Sequence, residues 1–319
     1  MSRQSIAALP HDNSLIMASL ASGDVRSKRF ELTRKGSPLV PAMASPGYRN
    51  LVLGTAIGLA KKDVGIFLES FRSHNREDDV VLLVSRISQE TEDYLRRQSV
   101  KLLPFRPLKY LHGHVNSCRM MGYLNFLETH SAYREVLLSD VRDVLFQGNP
   151  FGICDPSLCH AFLERSGKTI GDDRVNRKWV RRFIPADIGP KLALQPISCA
   201  GVTIGGRDAM LQYLTALTGL LRKVGIFKRR WAGADQIWHN YLLHLSDKVP
   251  MVAHSNNGLV ATMALEGRDS YGIVDGCVVH DTGARPIVCH QYDRFPAIAD
   301  FAMRQYCGEP VNTLARSLS

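Results

Sequence analysis

Residues 136–151 read VLLSDVRDVLFQGNPF, and this stretch decides the fold class. Val136, Leu137 and Leu138 form an unbroken apolar run, the pattern of a strand covered on both faces. The run ends at Ser139-Asp140, passes through Val141-Arg142-Asp143 and leaves by way of Gly148 and Pro150. A strand that finishes in carboxylates puts hard oxygen ligands at the rim of a sheet, where ligands of open α/β folds sit. Asp140 and Asp143 are three residues apart across a bend, so their carboxylates can converge on one cation. Mg²⁺ and Mn²⁺ prefer such oxygens and keep positions open for phosphates. The same spacing also suits a turn capped by Asp140, with Asp143 paired to Arg142 on a solvated surface.

Upstream, the pattern alternates. Leu51-Val52-Leu53 is a strand candidate, Val64, Phe67, Leu68 and Phe71 recur at helical spacing, and Val80–Val84 is a second apolar run. A helix over Gln89–Gln98, a short strand at Val100–Leu103 and a helix from Asn116 with Met120, Tyr123, Leu124 and Leu127 on one stripe continue it. Strand and helix in turn predict an α/β, Rossmann-like fold with a mostly parallel central sheet flanked by helices. Gly54-Thr55-Ala56-Ile57-Gly58, read as the turn after the first strand, lacks both the dinucleotide fingerprint and a phosphate loop ending in Gly-Lys-Ser/Thr. That weighs against NAD(P) enzymes and P-loop NTPases.

The chain has 319 residues, 45% of them hydrophobic, enough for one large α/β domain with a substantial core. Residues 1–47 show no sustained period and read as a tail or decoration, 48–308 as the domain, and 309–319 as a second tail. Forty Lys and Arg against thirty Asp and Glu leave a formal charge of +10, which favours anionic partners. With 8% aromatic residues and no basic/aromatic interleaving, nucleic acid is not the expected one. Seven cysteines without a CxxC pair argue against a disulfide framework and a zinc ribbon, and for a reducing compartment. No apolar run reaches the roughly 18 residues a bilayer needs. A cytoplasmic protein is expected, with peripheral contact to an anionic membrane face left open by its charge.

Four later segments carry chemistry-bearing groups. Residues 165–191 are rich in Arg and Lys, either a solvated helix face or an anion-binding lid. Ser198-Cys199-Ala200-Gly201-Val202-Thr203-Ile204-Gly205-Gly206 sets small residues in a β-rich run, where glycine lets backbone approach a ligand or simply makes a turn. Gly233-Ala234-Asp235-Gln236 opens a helix, with Asp235 either a cap or a site residue. Pro286–Arg294 is an apolar strand ending in polar groups, in which His290 is either a satisfied core imidazole or a nitrogen ligand. Arg294 there can face phosphate.

Together these segments resemble the GT-A nucleotide-sugar glycosyltransferases over residues 50–306. LSDVRDVLFQGNPF is similar to the DxD motif of that superfamily with one more residue between the acids. SCAGVTIGG, ADQIWHN and CHQYDR are similar, in the same order, to three elements of its retaining, glycogenin-like and lipopolysaccharide galactosyltransferase-like branch. The resemblance implies Mn²⁺ or Mg²⁺ held by Asp140, Asp143 and His290. It also implies donor contacts from Arg119, Asp140, Ala200 and Gly201, and Asp235 and Gln236 near the anomeric carbon. The implied donor is a nucleoside diphosphate sugar, a UDP-sugar foremost, and the acceptor a glycan or lipid-linked hydroxyl in polysaccharide biosynthesis. That branch implies transfer with retention. A metal-dependent phosphohydrolase would need further carboxylates or histidines for a second metal or water activation. A non-catalytic nucleotide-sugar-binding protein would keep the sheet without needing all three ligands.

Overall fold

The computed structural model describes residues 48–106 and 113–308; both predicted tails, 1–47 and 309–319, lie outside the described residues. The first half alternates as expected: β1 (Arg49–Ile57), α1 (Lys61–His74), β2 (Asp79–Ser85), α2 (Gln89–Arg97), β3 (Lys101–Pro104), α3 (Val115–Thr129) and β4 (Tyr133–Ser139). The apolar runs that predict strands are the buried ones, Leu51–Leu53, Val80–Leu83 and Val136–Leu138 all being at most 4% exposed. Ser88 caps α2 by accepting from the Thr91 amide, which is why that polar helix starts where it does.

The second half is more irregular. It comprises β5 (Val144–Phe146), β6 (Cys159–Leu163), α4 (Arg174–Phe183), α5 (Gly189–Ala193), β7 (Ser198–Gly206), α6 (Arg207–Lys223), α7 (Ile226–Arg229) and α8 (Ala234–Leu245). There follow β8 (Met251–His254), β9 (Val260–Thr262), β10 (Tyr271–Val274), β11 (Cys277–His280), β12 (Val288–His290) and α9 (Pro296–Cys307).

Seven strands form the central sheet in the order β3-β2-β1-β4-β7-β6-β8. β1 to β4 are mutually parallel, β7 runs antiparallel to both neighbours, and β6 and β8 are parallel. The sheet is mostly parallel, as predicted. Chain order reverses direction between β1 and β4, and their carboxyl ends open the crevice in which such sheets bind ligands.

A three-stranded sheet, β5-β12-β9, sits beside the first. Its strands are short but buried on both faces. Val144 and Phe146 join the main core, where Phe146 packs edge-on against Phe67 and Phe71 of α1 at 5.3 and 5.2 Å between ring centres. Leu145 faces a second cluster with Met263, Cys289, Tyr292 and Phe295. Apolar burial on both sides fixes the register, because a one-residue slip would exchange the two cores. That register sets His290 opposite Val144.

Two local readings differ from the structure. Gly54–Ile57 is strand rather than turn, β1 running on to Ile57 before Gly58 turns at φ +65°. At Gly54 a side chain would press into Val141 and Leu82, so the glycine there serves packing. The late apolar segment is a strand only over Val288–His290, after which Gln291 takes φ +63° and one 3₁₀ turn spans Tyr292–Arg294. All seven cysteines are free thiols, as expected. Among the described residues, no helix is long and apolar enough to cross a membrane.

Candidate metal and donor site

The carboxyl end of β4 brings Asp140 and Asp143 to the β1/β4 crevice. Thr55 and Ile57 from β1, Asn116 and Arg119 from α3 and residues 140–143 line a cavity of about 220 Å³ there. Backbone bonds hold the corners of the site. The Asp140 amide donates to the Gly201 carbonyl at 2.7 Å, and the Gln291 amide donates to the Asp143 carbonyl at 2.7 Å. Elements separated by 60 to 150 positions are thereby fixed around one point.

The three predicted ligands do meet. His290 Nε2 lies 3.4 Å from Asp140 Oδ2 and 4.0 Å from Asp143 Oδ1, and one ligand atom from each residue falls within 4.8 Å of the others. His290 is fully buried, yet neither ring nitrogen has a hydrogen-bond partner. Burial opposes charge on the ring, but its near neighbours, the Cys199 thiol and the Asp140 carboxylate, hold its pKa well above the ordinary value; a cation between the three side chains would take the place of the ring proton. Gly201 completes the cradle: a Cβ there would lie 2.7 Å from both Asp140 Oδ2 and His290 Nε2. Two carboxylate oxygens and an imidazole nitrogen, with room for further oxygens, fit Mn²⁺ or Mg²⁺. Ligands around such an ion stand about 3 Å apart, so a small closing movement suffices.

The charges around the cradle are ordered. Arg119 forms an ion pair with Asp140 and is itself largely buried. Burial opposes charge on Asp140, but Arg119 and His290 outweigh it and hold the carboxyl below its ordinary range. Asp143 goes the other way, burial raising it while His290 only partly compensates and Asp140 adds to the rise. Arg142 stands 3.5 Å and Arg294 3.8 Å from Asp143 Oδ2, both half-exposed. The pairing of Asp143 with Arg142 expected from the sequence is therefore present beside the approach to His290: one carboxylate oxygen faces the imidazole and the other faces cations.

The β7 segment forms the opposite wall. Gln236 accepts from the Ala200 amide at 2.9 Å and donates to the Ser198 carbonyl at 2.9 Å. Its amide is thus engaged with β7 backbone on both sides, next to Gly201. Asn240, one turn further along α8, bonds both the amide and the carbonyl of Ser198 at 2.8 Å. Asp235 is not the helix cap. Gly233 takes that position with φ +94°, a conformation that suits glycine, and Trp179 of α4 occupies the space a side chain would need. Asp235 lies in the first turn, 4% exposed, with Oδ1 unpartnered. Burial raises its carboxyl pKa against the pull of Arg119.

Glu164 is a residue the sequence reading missed. It follows β6, is 7% exposed, and stands 3.5 Å from the Gln236 amide. The signal was present, since Cys159-His160-Ala161-Phe162-Leu163-Glu164 is another apolar strand running into a carboxylate. Burial pushes this carboxyl up to about 7, with His290 opposing. In the unfolded chain it ionises near 4.5. Between those values the unfolded state binds fewer protons, so this group makes stability fall as pH rises from about 4.5 to about 7. Urea midpoints measured across that interval should show the fall in the parent and a flatter profile in Glu164→Gln.

No family model and no curated protein matches this sequence. Among solved structures, an apo structure of WbbM, a bifunctional glycosyltransferase, is similar at a TM-score of 0.51 and 10% sequence identity. The likeness covers 83% of this chain and 50% of that one, so this chain spans about half the length of the matched structure. At that identity it is the fold alone that is shared, a Rossmann-like glycosyltransferase fold.

Proposed function

We propose that residues 48–308 form a glycosyltransferase domain that uses a divalent cation to move a sugar from a nucleoside diphosphate sugar to a hydroxyl acceptor, with retention of configuration. The observation that carries this reading is the convergence of the buried His290 imidazole with Asp140 and Asp143 in the β1/β4 crevice. Asp140, Asp143 and His290 would hold Mn²⁺ or Mg²⁺. When bound, such an ion supplies positive charge to the diphosphate as the sugar–phosphate bond breaks. Arg119 keeps Asp140 ionised and oriented, and Arg142 and Arg294 add cationic charge where the leaving group departs. Gly201 and Ala200 give the donor sugar a wall without side-chain bulk. Gln236 positions that wall through its bonds to β7, and the neighbouring Asp235 is a buried carboxyl coupled to the Arg119–Asp140 pair. A UDP-sugar is the first donor to try.

Calorimetry with UDP, GDP and ADP, with and without Mn²⁺, tests the reading. Nucleoside diphosphate binding that appears only with the metal is expected, followed by donor hydrolysis in a panel of nucleotide sugars. Equal binding with and without metal overturns the metal role. Metal-dependent binding without turnover of any donor overturns the transferase in favour of a binding protein. The anomer of the product, read by NMR, tests retention.

The basic stretch bears on the partner. α4 and Lys228 present Arg174, Arg177, Lys178, Arg181, Arg182 and Lys228 around one open depression. Trp231 lies under Arg182 at 4.4 Å, and Trp231 and Phe227 are exposed. A cationic helix face beside exposed aromatic rings suits the surface of an anionic bilayer, and Trp179 on the same helix abuts Gly233 at the start of α8. Peripheral membrane contact and a lipid-linked acceptor follow from this reading. Arg177→Glu/Arg181→Glu should weaken binding to phosphatidylglycerol vesicles at least about thirtyfold, at about 1 kcal/mol for each basic residue lost with the added negative charges acting in the same direction, and leave UDP binding unchanged.

A further inference from the structure

A second cluster of ligating groups lies away from the proposed donor site, at the β6/β8 edge of the central sheet. β6 and β8 pair in parallel, with His160 opposite Val252 and Phe162 opposite His254. The two histidines therefore share one face on a diagonal, and the loop after β5 brings Cys154 over them. One ligand atom from each of Cys154, His160 and His254 lies within 4.8 Å of the others. His160 is buried, while Cys154 and His254 are partly accessible, which gives an ion a route in.

The hydrogen bonds fix how the imidazoles are presented. His160 Nε2 lies 2.7 Å from the Asp155 carbonyl oxygen. A carbonyl only accepts, so the ring proton sits on Nε2 and the Nδ1 lone pair points inward. Metal-bound histidines are commonly oriented by such an outer hydrogen bond to a carbonyl. His160 Nδ1 in turn lies 2.8 Å from His254 Nε2. Without an ion, His254 donates its Nε2 proton across that gap. Around a tetrahedral ion with bonds of about 2.0 Å, two nitrogens stand about 3.3 Å apart. A half-ångström opening, within reach of a partly exposed ring, is all the site requires.

We infer that Cys154, His160 and His254 form a second metal site, specific for Zn²⁺ or a similar borderline-soft ion and distinct from the oxygen-rich cluster at Asp140 and Asp143. One thiolate and two imidazoles are the ligands such ions select, whereas Mg²⁺ prefers oxygen. Binding releases the Cys154 thiol proton, moves the His254 proton to Nδ1, and leaves a fourth position for water. The ion ties the loop carrying Cys154 to the sheet edge, so it stabilises the native state.

The test titrates the full chain with Zn²⁺ in reducing buffer, on an Asp143→Asn background to weaken the other cluster, and repeats it with Co²⁺. The expected result is one ion per chain at submicromolar Kd, a raised melting temperature and a thiolate-to-cobalt absorption band. Cys154→Ser should abolish that band. Cys154→Ser and His254→Gln should each weaken Zn²⁺ binding at least tenfold, while Cys277→Ser binds like the parent. Circular dichroism on each variant verifies folding. Zn²⁺ binding weaker than about 100 µM, or equal binding by Cys154→Ser, His254→Gln and parent, overturns the site.

Discussion

Asp143→Ala is expected to remove metal-supported donor turnover while leaving the protein folded. Loss of outer-shell partners alone commonly costs 10- to 100-fold in metal sites, so loss of a direct ligand should cost at least about a hundredfold. Asp143 is a cleaner probe than Asp140. Asp140 is the partner of the buried Arg119, and removing it would leave a guanidinium uncompensated, a change that costs about 3–5 kcal/mol in buried pairs. Asp143 carries no such burden. Burial already raises its carboxyl above the usual range, so at neutral pH its ionised form opposes folding. The metal-free Asp143→Ala protein should therefore melt no lower than the parent, and the rise in melting temperature on adding Mn²⁺ should disappear. Wild-type turnover in the variant would remove Asp143 from the site, and a large drop in metal-free stability would mean that the carboxylate has a structural partner instead.

The readable parts of this molecule are those whose signal is local. Val136–Leu138 announces a doubly covered strand through its own apolarity, and Ser139-Asp140 marks the strand's end within two residues. The βα alternation from Leu51 to Leu127 is visible for the same reason. What was not legible depends on pairing at long range. Nothing near His290 states that β12 will lie against β5, 146 positions earlier in the register of His290 with Val144; that register follows from two apolar clusters assembled from distant segments. Its place at a strand end made His290 a candidate nitrogen ligand to the same cation, and the resemblance to a known family gave that reading its order along the chain. Gly54 was misread as a turn because glycine marks turns and close packing alike, and the side chain that crowds it, Val141, lies 87 positions later. Of the two readings of Asp235, cap or site residue, the cap falls because Gly233, pressed against Trp179, takes that position. Glu164 carried the same signature as Asp140, a strand ending in an acid, and was passed over because it stood alone.

Gly201→Ala is the most economical challenge to the cradle, since it adds one methyl group and no charge. The new Cβ would lie 2.7 Å from Asp140 Oδ2 and from His290 Nε2 and would also press on His290 Cε1. Neither neighbour can withdraw cheaply. His290 is fully buried on a strand paired on both sides, and Asp140 is held by Arg119 and by the hydrogen bond its amide donates to the Gly201 carbonyl. Overpacking of this kind costs about 1–3 kcal/mol, and the methyl group occupies the volume in which the proposed ion would sit. Calorimetry should find no Mn²⁺ binding in Gly201→Ala even where circular dichroism shows a native fold. Gly219→Ala supplies the contrast. It lies within α6 with nothing inside 4 Å of an added Cβ, so it should stabilise the protein by about 0.5–1 kcal/mol and leave Mn²⁺ binding as it was. Parent-like Mn²⁺ affinity in Gly201→Ala would mean that the ion, if bound at all, lies outside the space between Asp140, Asp143 and His290, because three groups this close cannot hold both a methyl group and a cation.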